Sequence, residues 1–128
     1  MLFRSAGLAY IEERGVEELG AQVRALADRF ERGVRGIDGV RVLGGGGDAG
    51  RCGIVALNVG DADSAAIGDA LNAEFGICTR AGAHCAPLMH EALGTQSQGA
   101  VRFSFSSFNT EDEVDAGIAA VAAIAEGA

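Results

Sequence analysis

Cys85 lies in the stretch Arg80-Ala-Gly82-Ala-His84-Cys85-Ala-Pro87, with an arginine and a histidine before it and a proline after it. Nearby positive charge and the amides that open a helix favour a thiolate, and Pro87 is pre-organised for a first helical turn. Cys85 is therefore a candidate nucleophile. The plainer alternative is an inert, partly buried thiol beside a packed or solvated His84. Arg102 is the second candidate: it falls on the polar face of an alternating run, where its planar fork suits two-point capture of a carboxylate or an ordinary surface ion pair. Arg80 admits the same two readings. The remaining polar residues read as structural. Cys52 stands beside an apolar run and Cys78 within one, so both are expected in or near the core, where free cysteines are common. His90 is expected as an exposed helix residue. The Cys78–Cys85 spacing matches no zinc pattern, and with two histidines in the chain no metal site is expected.

These residues must be carried by regular elements. Ala6–Arg14 reads as a short helix stopped by Gly15, and Val16–Arg35 as a longer one. In the latter, Leu19, Val23, Leu26, Phe30, Val34 and Ile37 recur at helical intervals. Val40–Leu43 reads as a strand. Gly44–Gly47 lacks the Lys-Ser/Thr ending of a phosphate loop and reads as a hairpin connection. Ile54–Val59 is apolar enough for a central strand. Asp63 or Ser64 should cap a helix carrying Ile67, Leu71 and Phe75, closed by Gly76. Ile77–Arg80 reads as a strand, and Pro87–Leu93 as a short helix. Ala100–Ser106 alternates, with Val101, Phe103 and Phe105 facing one way and Arg102, Ser104 and Ser106 the other. Thr110 with Glu113 forms a capping box for a last helix striped by Val114, Ile118 and Val121. The order α-α-β-β-α-β-α-β-α predicts an α/β domain, an α+β two-layer sandwich whose helices cover a small mixed or antiparallel sheet.

The whole chain has 128 residues, room for one domain. Ten basic against eighteen acidic residues give a net charge of −8, which disfavours tracking along nucleic acid or binding an anionic membrane. The longest apolar run, Ala116–Ala125, is too short to span a bilayer, and Glu12 and Glu13 follow the only apolar stretch near the N-terminus. Three cysteines without framework spacing point to reduced thiols and a cytoplasmic setting. Met1–Ser5 fits nothing that follows. Leu-Phe-Arg-Ser can be encoded by the end of a sequencing adapter, so these five residues are expected to be a non-native scar and 6–128 the domain proper.

Two stretches carry a resemblance: Gly76-Ile-Cys-Thr-Arg80-Ala-Gly82-Ala-His84-Cys85-Ala-Pro87-Leu, and Gly99-Ala-Val-Arg102-Phe-Ser-Phe-Ser-Ser-Phe-Asn109-Thr110-Glu111-Asp-Glu113. With the helix pair around Tyr10, they resemble the C-terminal small domain of cysteine desulfurases, which belong to the class V aminotransferases of fold type I. The resemblance implies a pyridoxal-phosphate (PLP) enzyme that converts L-cysteine to L-alanine and an enzyme persulfide. It implies Cys85 as the attacking thiol, Arg102 as the arginine that binds the substrate carboxylate, Arg80 as the arginine opening the cysteine loop, and His84 in support. It further implies a sulfur-acceptor protein or thiol, a homodimer when complete, and a cofactor held by a large N-terminal domain that this chain lacks. A class V aminotransferase, a selenocysteine lyase and a stand-alone persulfide carrier remain alternatives.

Every basic side chain except the two histidines is arginine, and the chain contains no lysine. It is therefore predicted to form no side-chain imine with PLP. Borohydride reduction in the presence of the aldehyde should label at most the α-amino group, and a label on an internal peptide contradicts this.

Overall fold

The structure is a computed structural model that describes residues 2–44 and 51–128. The hairpin reading of Gly44–Gly47 therefore falls mostly outside the described residues. Among the described residues there are five helices and four strands: α1 (Leu2–Arg14), α2 (Val16–Arg35), β1 (Val40–Leu43), β2 (Ile54–Val59), α3 (Ser64–Phe75), β3 (Arg80–Gly82), α4 (Pro87–Leu93), β4 (Ala100–Ser104) and α5 (Glu111–Gly127). The strands form one sheet in the order β1-β2-β4-β3, antiparallel at every pairing. No described helix is long and apolar enough to cross a membrane.

Strand alternation divides the sheet into two faces. Val55, Leu57 and Val59 of β2 and Val101 and Phe103 of β4 point into the core. They meet Leu26, Phe30 and Val34 of α2, Ile67 and Leu71 of α3, and Val114 and Val121 of α5. Phe30 is fully buried, and its ring centroid lies 4.5 Å from that of Phe103. Two glycines let α2 and α5 approach: a Cβ at Gly117 would stand 3.3 Å from the Phe30 ring, and one at Gly33 would overlap Ile118. Glu31, buried on α2, is answered by Arg35 at 2.5 Å and by Arg51.

The helix ends follow sequence chemistry. The Asp63 side chain accepts from the Ala65 amide at 2.9 Å, and Gly76 closes α3 in the left-handed conformation. Thr110 and Glu113 make both bonds of the capping box on α5. Just before it, Asn109 accepts from the Ser106 amide and donates to Glu113, which fixes a turn that presents Phe108. The Phe108 ring stacks on Tyr10 of α1 at 5.5 Å between centroids.

Four expectations shift. α1 starts at Leu2, so Phe3–Ser5, set aside in the sequence, are helical here. β3 comprises Arg80–Gly82 instead of Ile77–Arg80, because the preceding residues finish the α3 cap: the Ile77 amide donates to Leu71 O at 3.0 Å. β4 ends at Ser104, since Ser106 is drawn into the Asn109 turn. Phe75 is 40% exposed and lies outside the core that Ile67 and Leu71 enter.

Arg29 of α2 donates to both carboxylate oxygens of Asp115 on α5, at 2.8 and 2.9 Å. These hydrogen bonds hold the Asp115 carboxyl below its ordinary range, and bonds from Asn109 and the Thr110 amide do the same for Glu113. A depressed carboxyl adds stability above its unfolded pKa, about 4, and that stability is lost as pH falls through the folded value. Denaturant midpoints should therefore drop on acidification below about pH 4, and Asp115→Asn should reduce the drop. An identical pH dependence in the variant would show that the pair contributes nothing.

Candidate active site

Arg102 projects from the second face of the sheet, opposite the core. Its strand is held in place by Val101 and Phe103, buried beneath the helices, so the half-buried Arg102 is carried on a strand paired on both sides. Register places Arg80 of β3 directly across from Arg102. Residues directly opposite in an antiparallel pair share a face, and two like charges so placed repel. Ala56 occupies the corresponding position on the other side of Arg102 and adds no opposing charge. Arg102 Nε is buried without a partner among the described residues. Two arginines that face each other across neighbouring strands suit a planar anion such as a carboxylate.

The chain leaves β3 at Gly82, whose amide donates to Ser64 Oγ at 3.2 Å, and enters a turn. Here His84 and Cys85 both take positive φ, 53° and 57°. For non-glycine residues this conformation costs about 1–3 kcal/mol each, and it persists only where the surroundings impose it. His84 Nε2 lies 2.9 Å from the Arg80 carbonyl oxygen, which folds the turn back over β3. Cys85 is exposed. Arg80 and Arg102 thus face each other at one end of the β3–β4 pair, the turn that carries Cys85 leaves from the Gly82–Ala100 end, and His84 ties that turn back to Arg80.

Three expectations about neighbouring residues fail. Cys52 and Cys78 are both exposed. Cys52 precedes β2, beside the strand as expected but outside the core, and Cys78 follows the α3 cap, with its sulfur 3.8 Å from Asn72 Oδ1, outside the strand assigned to it. Burial therefore does not distinguish Cys85 from the other thiols; the strained turn and its neighbours do. His90 is 1% exposed instead of solvated, with Nδ1 2.7 Å from Thr95 Oγ1, and Thr95 is equally buried. Helix periodicity could not reveal this, because α4 has no apolar stripe; the only signal was a polar pair five residues apart flanking the Gly94 cap.

The chain matches the family described as aminotransferase class-V over residues 2–116. It is 36% identical over 120 residues to a probable cysteine desulfurase of Mycobacterium leprae, covering 94% of this chain and 19% of that protein. A probable cysteine desulfurase of Halobacterium salinarum is 35% identical over 112 residues, covering 88% of this chain and 26% of that protein. Among solved structures, the apo cysteine desulfurase of Thermococcus onnurineus superposes with a TM-score of 0.87 at 28% identity, covering 96% of this chain and 30% of that one. The Escherichia coli cysteine desulfurase CsdA, in an S-sulfonic acid form, gives 0.79 at 28% identity, with 96% and 29% covered. The chain spans less than a third of the length of each of these proteins.

All three thiols should react with a chromogenic disulfide reagent in the folded chain without denaturant. A stoichiometry that reaches three only after unfolding would refute the exposure of Cys52 and Cys78.

Proposed function

The chain belongs to the aminotransferase class-V family, and from that premise we propose that it is the small, C-terminal domain of a cysteine desulfurase, comprising residues 6–128. The family is one of PLP enzymes, yet the residues here do not fit the cofactor: the chain has no lysine to bind it. The cofactor would be held by a further domain of the complete protein, and this chain contributes the thiol and the anion-binding groups. Its isolated form is expected to be inactive.

In this reading the substrate is L-cysteine. The guanidinium groups of Arg102 and Arg80 bind its α-carboxylate, and the facing of the two arginines across β3 and β4 is the observation that carries the assignment. Orientation by a planar fork places the substrate sulfur for in-line attack. The Cys85 thiolate attacks that sulfur: an S–S bond forms, the C–S bond breaks, and the bonding pair leaves with the substrate carbon. Protonation of that carbon gives alanine, and Cys85 retains the persulfide. His84 supports the turn through the Arg80 carbonyl. The exposed position of Cys85 suits delivery of the sulfur to an acceptor thiol or protein.

The surface is consistent with a larger assembly. Phe3 is 91% exposed and Leu8 61%, both on α1, a surface that a cofactor-bearing domain or a second subunit of a homodimer would cover. A cytoplasmic setting fits the reduced cysteines that this chemistry needs.

Time-resolved alkylation of the folded chain, with sites assigned by mass spectrometry across neutral pH, should label Cys85 before Cys52 and Cys78. Faster labelling of either of the others removes the physical basis for the nucleophile. In a complete protein containing this domain, Cys85→Ser should abolish alanine release from cysteine with cofactor absorbance unchanged, whereas Arg102→Ala should raise KM.

A further inference from the structure

We propose that His90, clasped to Thr95, is the positioning residue that holds Cys85 at a fixed place relative to Arg102; this deepens the reading above and rests on it. The segment between Gly82 and Gly99 leaves the sheet and returns to nearly the same point. A Cβ at Gly99 would stand 2.9 Å from Gly82 Cα. An excursion of this kind, with its ends together, is ordered by its own interior contacts. It has few. α4 has Ala86 at its N-cap and no side-chain cap there, and Leu88 and Met89 face solvent. His90 is the single buried residue of α4.

A relay of backbone bonds runs through that residue. Ala86 N donates to Ala83 O at 3.0 Å, His90 N to Ala86 O at 3.2 Å, Thr95 N to His90 O at 2.9 Å, and Gly99 N to Thr95 O at 2.8 Å. Cys85 adjoins one end of the relay, and β4, with Arg102, continues directly from the other. The imidazole–hydroxyl contact at 2.7 Å is the side-chain clasp at its middle. His90 Nε2 is buried without a partner among the described residues. The Nδ1 contact with Thr95 is then the polar interaction that offsets the burial of the imidazole. The clasp also answers what imposes positive φ on His84 and Cys85: the segment after them is fixed at both ends of a short relay.

The test uses the 128-residue chain with two readouts: amide hydrogen exchange and the ratio of Cys85 to Cys78 alkylation, Cys78 lying outside the excursion. Thr95→Val keeps shape and removes the hydroxyl; His90→Leu removes the imidazole. Both should speed exchange at Ala86, Gly99 and the amides of positions 90 and 95 by about tenfold, the size expected for one lost buried hydrogen bond. Both should change the alkylation ratio, with Leu57 and Val101 amides still protected. Thr95→Ser and His90→Asn, which keep a polar atom near each original position, should restore both readouts. Unchanged exchange and ratio in Thr95→Val overturn the proposal. So does loss of protection at Leu57 and Val101 in both Thr95→Val and His90→Asn, which would make the pair a support of the core. The exchange readout is independent of which thiol is the nucleophile: slow alkylation of wild-type Cys85 sinks the desulfurase assignment, whereas only the variants decide the clasp.

Discussion

Gly99 has no room for a side chain. A Cβ there would stand 2.7 Å from Ser64 Oγ and 2.9 Å from Gly82 Cα, and the residue adopts a φ of 70° that L side chains rarely take. This close approach of two backbones joins the end of β3 to the start of β4. It sets the register that places Arg80 against Arg102, and it closes the excursion that carries Cys85. Ser64 belongs to the same junction: its hydroxyl accepts from Gly82, and its amide donates to Gln98 O at 3.1 Å. The first residue of α3 thereby ties the helical layer to the candidate site.

β4 translates packing into chemistry. Its core-side residues, Val101 and Phe103, are fixed by contact with α2, above all by the Phe30 ring. Because successive side chains on a strand point to opposite faces, immobilising these two also fixes Arg102 between them. The hydrophobic layer supplies the rigidity, and the exposed layer supplies the charge. The two facing guanidinium groups repel, and the packed strand keeps them opposed because the backbone cannot splay to relieve the repulsion.

Periodicity and end signals made most of the fold legible. α2, β1, β2, α3 and α4 begin and end where their apolar spacing, Asp63, Gly76 and Pro87 indicate. β3 starts later than the spacing indicates: Ile77–Thr79 are strand-like in composition, but the Ile77 amide is bonded to Leu71 O at the end of α3. The cysteines illustrate a different limit. Residue type reports the average burial of cysteine, whereas Cys52 and Cys78 occupy connections where that average does not apply. The candidates Cys85, Arg80 and Arg102 were visible as residue types in a local pattern. The facing of the two arginines needed the register of strands some twenty residues apart, and the burial of His90 needed the closed excursion.

The turn before α5 has a reach that its position in the chain does not suggest. Asn109 and Glu113 set the turn's shape, the turn sets where Phe108 stands, and Phe108 carries the ring on which Tyr10 rests. Gln22 of α2 donates to Ser107 O in the same turn at 3.1 Å, so both leading helices take bearings from it. A cap about a hundred residues downstream thus contributes to the seating of α1, alongside the packing of α1 on α2.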